Sequence, residues 1–222
     1  MGIAKMSLYG NDYIGAFAVS NDSFTIVGGS PKQSSRSMIE ENLKTKIVET
    51  LINGSDLVGI YCAANSNHIL IPEMVYKSEI ERLESQLNGV KVNILRSDLN
   101  ALRNNILAND KIALINPSYS GSDSKLIGEA LDVEVIRMSI GGFETVGANN
   151  ILTNKGIVLN NEISEAEEES LKKIFHNVSQ STANLGSVSI GLCTLANSKG
   201  LLVGSATTGF EIANMADGLS LE

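Results

Sequence analysis

Ile52-Asn-Gly-Ser-Asp-Leu-Val-Gly59 and Ile140-Gly-Gly-Phe-Glu-Thr-Val-Gly147 stand two periods apart in a chain that repeats about every 44 residues. Gly10, Gly54, Gly142 and Gly186 share one phase of that period, and Gly15, Gly59, Gly147 and Gly191 share another. Apolar positions keep step: Ile14, Val58, Leu102, Val146 and Ile190 form one series, and Ile26, Leu70, Leu114, Val158 and Leu202 a second. Asn21, Asn65, Asn109 and Asn197 mark a common turn, with Thr153 in the fourth copy. Five copies, at approximately 1–46, 47–90, 91–134, 135–178 and 179–222, fill the 222 residues and leave no room for a second domain. Copy three alone departs from both glycine phases, with Asp98 and Arg103.

Each copy reads in one order. A short apolar segment (47–52, 91–95, 133–138) leads into the glycine loop. A strand such as 14–19 follows, then the asparagine turn, then a strand such as 24–27. A helix closes the unit. Ser78-x-x-Glu81, Ser164-x-x-Glu167 and Thr208-x-x-Glu211 fit the capping box, in which hydroxyl and carboxylate each satisfy an orphan backbone N–H. Ile80, Leu83 and Leu87 then share a helical face. The unit is β-β-β-α and cannot bury both its sheet and its helix alone, so copies must pack on neighbours. An open array needs polar caps at its ends, and the first copy is as apolar as the middle ones. The expected fold is therefore α/β, a closed ring of five quasi-identical αβ repeats around a pseudo-five-fold axis, with strand 3–8 docking beside the last helix, 208–217.

Composition sets outer bounds. The chain is 43% hydrophobic with three prolines, so it is not disordered, and no apolar run approaches a membrane span. The first residues lack the apolar core of a secretory signal. Cys62 and Cys193 are too few for a disulfide framework and fit a reducing, cytoplasmic setting. A net charge of −8 argues against an extended phosphate-binding surface, since displacing counterions from a polyanion requires Lys and Arg. Leu221-Glu222 reads as an appended dipeptide.

With the repeat established, the segment Leu102-Arg-Asn-Asn-Ile-Leu-Ala-Asn-Asp110 and the turn Val146-Gly-Ala-Asn-Asn-Ile-Leu-Thr-Asn154 resemble translation initiation factor 6. That family is the ribosome anti-association factor shared by archaea and eukaryotes, and the resemblance covers essentially the whole chain. It implies the pentein fold, or β/α-propeller. It also implies a monomer that binds the intersubunit face of the large ribosomal subunit, blocks the small subunit and serves large-subunit biogenesis. The chain ends with its fifth repeat, without the C-terminal tail of eukaryotic members, which points to the archaeal side of the family. Arg103 stands where the family has glycine.

Penteins also include guanidino-modifying enzymes built on a Cys nucleophile, so catalysis needs a test. Cys193 is the candidate. Its repeat partners are Phe17, Tyr61, Asn105 and Asn149, which suits an apolar filler, and Cys62 one phase later should face the other side of an extended strand. Neither His68 nor His176 has a neighbouring acid in sequence to orient it. The acidic run 165–169 belongs at a helix N-terminus facing water rather than to a metal, and Val27-Gly-Gly-Ser-Pro-Lys32 lacks phosphate-loop spacing. The sequence therefore predicts no metal, no cofactor and no catalytic group.

Polar residues without an evident structural task point to binding instead. The positions after the second glycine are Ala16, Ile60, Asn104, Ala148 and Leu192, then Phe17, Tyr61, Asn105, Asn149 and Cys193, so copies three and four alone put asparagines here, Asn104-Asn105 and Asn149-Asn150. A ring puts equivalent positions on one face, bordered by the loops 9–13, 53–57 and 97–101. The expected binding set is Asn11, Asp12, Tyr13, Asp56, Ile60, Asn100, Arg103, Asn104, Asn105, Asn149 and Asn150. The acidic balance favours a basic ribosomal protein as the main contact, with limited ribosomal RNA contact through Arg103.

Overall fold

Within each repeat the chain alternates short strands with a long helix, and parallel strands need that helix as their crossover. In the computed structural model, which describes residues 2–221, the chain enters through strand β1 (Gly2–Met6). The first unit holds a 3-10 turn (Ile14–Ala16), β2 (Ala18–Ser20), β3 (Phe24–Gly28), α1 (Gln33–Leu43) and β4 (Lys46–Thr50). The second holds α2 (Val58–Tyr61), β5 (Ala63–Ala64), β6 (His68–Pro72), α3 (Lys77–Gln86) and β7 (Lys91–Leu95). The third holds α4 (Leu102–Asn105), β8 (Ile106–Ala108), β9 (Ile112–Ile115), α5 (Gly121–Leu131) and β10 (Glu134–Arg137). The fourth holds α6 (Val146–Asn149), β11 (Ile151–Leu152), β12 (Ile157–Asn160), α7 (Glu165–Lys172) and β13 (Val178–Ser181). The fifth ends with α8 (Ile190–Cys193), β14 (Thr194–Asn197), β15 (Gly200–Gly204) and α9 (Gly209–Gly218).

Five three-stranded sheets result, each with an antiparallel inner pair and a parallel outer pair. The fifth sheet borrows its outer strand from the other end of the chain: β1 pairs parallel with β15, Gly2 opposite Gly200. The inner strands β2, β5, β8, β11 and β14 each touch the next, and β14 returns to β2. The short helical segments form a second circle, from the Ile14–Ala16 turn through α2, α4, α6 and α8 back to the start. Both circles close, so the ring has no free end.

Four local expectations change. The residues after the second glycine form one helical turn and not the opening of a strand, because the chain must turn inward before the inner strand begins. Strand β1 closes the ring by backbone pairing with β15 instead of lying beside the last helix. The capping boxes at Ser164/Glu167 and Thr208/Glu211 form as read, but α3 starts two residues early, with Tyr76 in place of Ser78 as N-cap and Glu79 in place of Glu81 as its carboxylate. Ser120 and Asp123 supply a further box in α5. Leu221 is buried in the fifth core and its N–H bonds the Ala216 carbonyl, so it is no loose appendage; Glu222 lies outside the described residues.

Packing follows the apolar phases. Leu83 of α3 and Leu87, its C-cap, sit with Val48, Ile52, Ile69 and Ile71 between the first and second sheets, and burying a side chain such as Leu83 contributes roughly 1.5–3 kcal/mol. At Gly59 the packing is backbone on backbone: a Cβ there would overlap the carbonyl oxygen of Gly15. That close approach, and the same one at Gly147 against the Arg103 carbonyl, is the physical reason for the second glycine phase.

Candidate functional site

The ring has two rims. Inner strands run from the glycine loops and short helices on one side to the asparagine turns on the other.

On the asparagine rim the polar side chains are engaged with one another. Asn21, Asn65, Asn109 and Asn197 each accept from the N–H groups two and three residues ahead, which shapes the turn. Their amide nitrogens reach outward to neighbours: Asn197 to the Asn21 carbonyl at 3.0 Å, Asn21 to the Asn65 carbonyl at 2.8 Å and Asn109 to the Thr153 carbonyl at 3.0 Å. Asp22 accepts from Ser198, Asp110 accepts from Ser66, and the Asn154 amide donates to both carboxylates.

The glycine rim is different. Tight turns at Tyr9–Gly10, Asn53–Gly54 and Gly141–Gly142 carry backbone φ between about +50° and +80°, a region glycine enters without steric cost. The carboxylates of the capping boxes reach back to hold these turns: Glu79 accepts from Asn53 and Gly54, Glu167 from Gly141, and Glu211 from Gly186. Hydrogen bonds from Ser164 hold the Glu167 carboxyl below its ordinary value. Burial works against ionisation of Glu211, yet hydrogen bonds from Thr208, Thr182 and Gly186 outweigh it and leave its pKa lowered. The fifth turn has one residue more, and it projects Leu185, 74% exposed with φ +65°, in a conformation unusual for a large side chain. Copy three lacks both the glycine turn and the bridge that closes it in the other four copies.

The predicted binding residues separate on this frame. Asn11, Tyr13, Asp56 and Asn100 are exposed on the glycine rim, and Asp12 and Ile60 are half-buried beside them. Asn105, Asn149 and Asn150 are buried and drop out of the set. Asn105 donates to the Ala101 carbonyl and accepts from Asn116, Asn149 accepts from Thr145, and Asn150 accepts from Asn160 while donating to the Val146 carbonyl. These amides satisfy the ends of one-turn helices, which cannot satisfy their own backbone groups. Arg103 is half-buried: its guanidinium lines the axial cavity and donates to the Gly147 carbonyl. Asn104, next to it, is half-buried, and its side-chain oxygen is buried without a hydrogen-bond partner. Sequence reasoning passed over Tyr9, whose hydroxyl bonds the Gly28 carbonyl and whose ring meets Phe17 edge-on at 5.4 Å. It also passed over the second task of the capping glutamates, which their common phase with the glycine turns could have signalled.

The thiols face the wrong chemistry for a nucleophile. Burial pushes Cys193 up to about 11 and Cys62 up to about 12, so both stay protonated near neutral pH. Cys193 ends α8 rather than lying in a strand, and both cysteines are buried, in two different core clusters. Among the described residues no group of three His, Cys, Asp or Glu side chains is placed to hold a metal ion.

A closed ring of five αβ units of this kind is a pentein-type fold. The chain belongs to the eIF-6 family, whose model matches residues 3–218. It is 38% identical over 226 residues to translation initiation factor 6 of Pyrococcus abyssi, covering 100% of both chains. It is 37% identical to the factor of the same name from Methanosarcina mazei, covering 98% of each chain, and 37% identical to that of Saccharolobus islandicus, covering 99% of each. The protein is thus a member of a translation initiation factor family with archaeal relatives.

Proposed function

We propose that the protein binds the intersubunit face of the large ribosomal subunit through its glycine rim and sterically prevents premature joining of the small subunit. A part in large-subunit biogenesis follows from the same occupancy, in the cytoplasm and as a monomer. The carrying observation is the contrast between rims: on the glycine rim Asp12, Asp56 and Glu144 occupy one repeat phase, with Asn100 in copy three and Val188 in copy five. A row of carboxylates and amides on a rigid ring suits a basic ribosomal protein, and electrostatic complementarity of this kind steers docking and fixes orientation. Tyr13 and Leu185 add exposed apolar surface to the same rim. Blocking by occupancy needs no turnover, which suits a site with no activated nucleophile.

Asn104 is the side chain to test first, because it is half-buried on the glycine rim and polar where the other copies carry Ala16, Ile60, Ala148 and Leu192. Asn104→Ser is expected to weaken cosedimentation with large subunits about tenfold while the melting temperature stays within 1–2 °C, roughly the shift of a small stability change. Equal binding by this variant and by Asp56→Lys would remove the glycine rim as the docking face. The competing reading, a guanidino-group enzyme using Cys193, requires fast alkylation of that thiol near neutral pH. Labelling at the slow rate of a buried, protonated thiol speaks against it.

A further inference from the structure

Arg103 is a cation placed inside the ring. The cavity on the axis measures about 30 Å³ and is bounded by the inner strands β2, β5, β8, β11 and β14 together with Arg103. A guanidinium offers five N–H donors. Here one nitrogen donates to the Gly147 carbonyl, and among the described residues no carboxylate forms an ion pair with it. Burial pulls its pKa down to about 10, with no acidic neighbour acting in the other direction, so it remains protonated at neutral pH. The carboxylates at the asparagine rim, Asp22 and Asp110, are engaged by Ser198, Ser66 and Asn154. A half-buried charge that lines a narrow cavity with no counter-charge beside it is costly, and arginine cannot escape by deprotonating.

We propose that the axial cavity holds a small monovalent anion of chloride size against the Arg103 guanidinium. A cavity of this volume admits about two water-sized spheres, which accommodates chloride or bromide and excludes a carboxylate or sulfate. The anion supplies the missing counter-charge, accepts from guanidinium N–H groups that the protein leaves free, and fastens the third unit to the axis where copy three departs from the glycine pattern.

The test compares thermal melts of the intact protein in potassium chloride and in potassium gluconate at equal ionic strength, because gluconate is too large to enter. The wild-type melting temperature is expected to rise about 3–5 °C for each tenfold increase in chloride above its dissociation constant, and not with gluconate. Arg103→Gly puts at this position the residue that the other four copies carry, so it is expected to fold and to lose the chloride increment. In crystals grown in bromide, the anomalous signal should sit beside the Arg103 guanidinium. Equal wild-type melts in the two salts, an undiminished increment in Arg103→Gly, or bromide found only on the surface would each overturn the proposal and leave water as the occupant.

Discussion

The two rims are built from the same five repeats, yet they differ in what they leave free. On the asparagine rim the turn amides shape their own turns, and most reach a neighbouring unit as well, with Asp22 and Asp110 bridged by Asn154. On the glycine rim the turns are fixed from behind by Glu79, Glu167 and Glu211, so side chains such as Asp56 and Tyr13 project without an internal task. Rigidity thus comes from different sources on the two sides. One rim staples the ring, and the other offers a preorganised surface, which lowers the ordering cost of binding.

The largest expected effect tests the axis shared by both rims. Gly59→Ala forces a Cβ into the Gly15 carbonyl, a backbone atom that cannot move alone, and should cost about 3 kcal/mol in denaturant unfolding. Next comes Asn65→Ala on the asparagine rim. Asn65 is buried, donates to the Leu131 carbonyl at 2.7 Å and accepts from Asn67 and His68, so its loss should cost about 2–3 kcal/mol. If that variant melts like the wild type, the asparagine rim is not the staple described here. Asp56→Lys on the glycine rim should do the reverse: about tenfold weaker binding to large subunits, with stability changed by less than about 0.5 kcal/mol.

Acid separates the rims further. Glu167 and Glu211 have folded pKa values below the ordinary glutamate value, so their contribution is fully present above the unfolded pKa of about 4.3. It is lost as pH falls through their folded values. Melts between pH 6 and pH 3 should therefore show a steepening loss at the acid end, blunted in Glu211→Gln. The smallest effect is expected for Glu168→Lys on α7, distant in sequence from either turn set. It loses a hydrogen bond from Gln180 and an ion pair with Lys172, for about 0.5 kcal/mol, and should leave subunit binding unchanged.

Much of the ring was legible in the linear chain. A fixed period with two glycine phases, two apolar series and a recurring asparagine required five equivalent units, and uniformly apolar ends required them to close. The Ser164 and Thr208 caps were readable because a capping box is a local interaction between residues three apart. The resemblance to the initiation factor family lay in contiguous segments and needed no coordinates. What tertiary structure alone decided is where a side chain of given type ends up. Asn104, Asn105, Asn149 and Asn150 look alike in sequence, yet only Asn104 keeps an unpartnered acceptor, because the fates of the others depend on Ala101, Asn116, Thr145 and Asn160. Arg103 was read as a surface charge and lies instead on the axis, since the direction of a side chain at the ring's centre is set by four other repeats. The period fixes which positions are equivalent; the closure of the ring determines which of them face water, for burial is a property of the assembled neighbours and not of the residue.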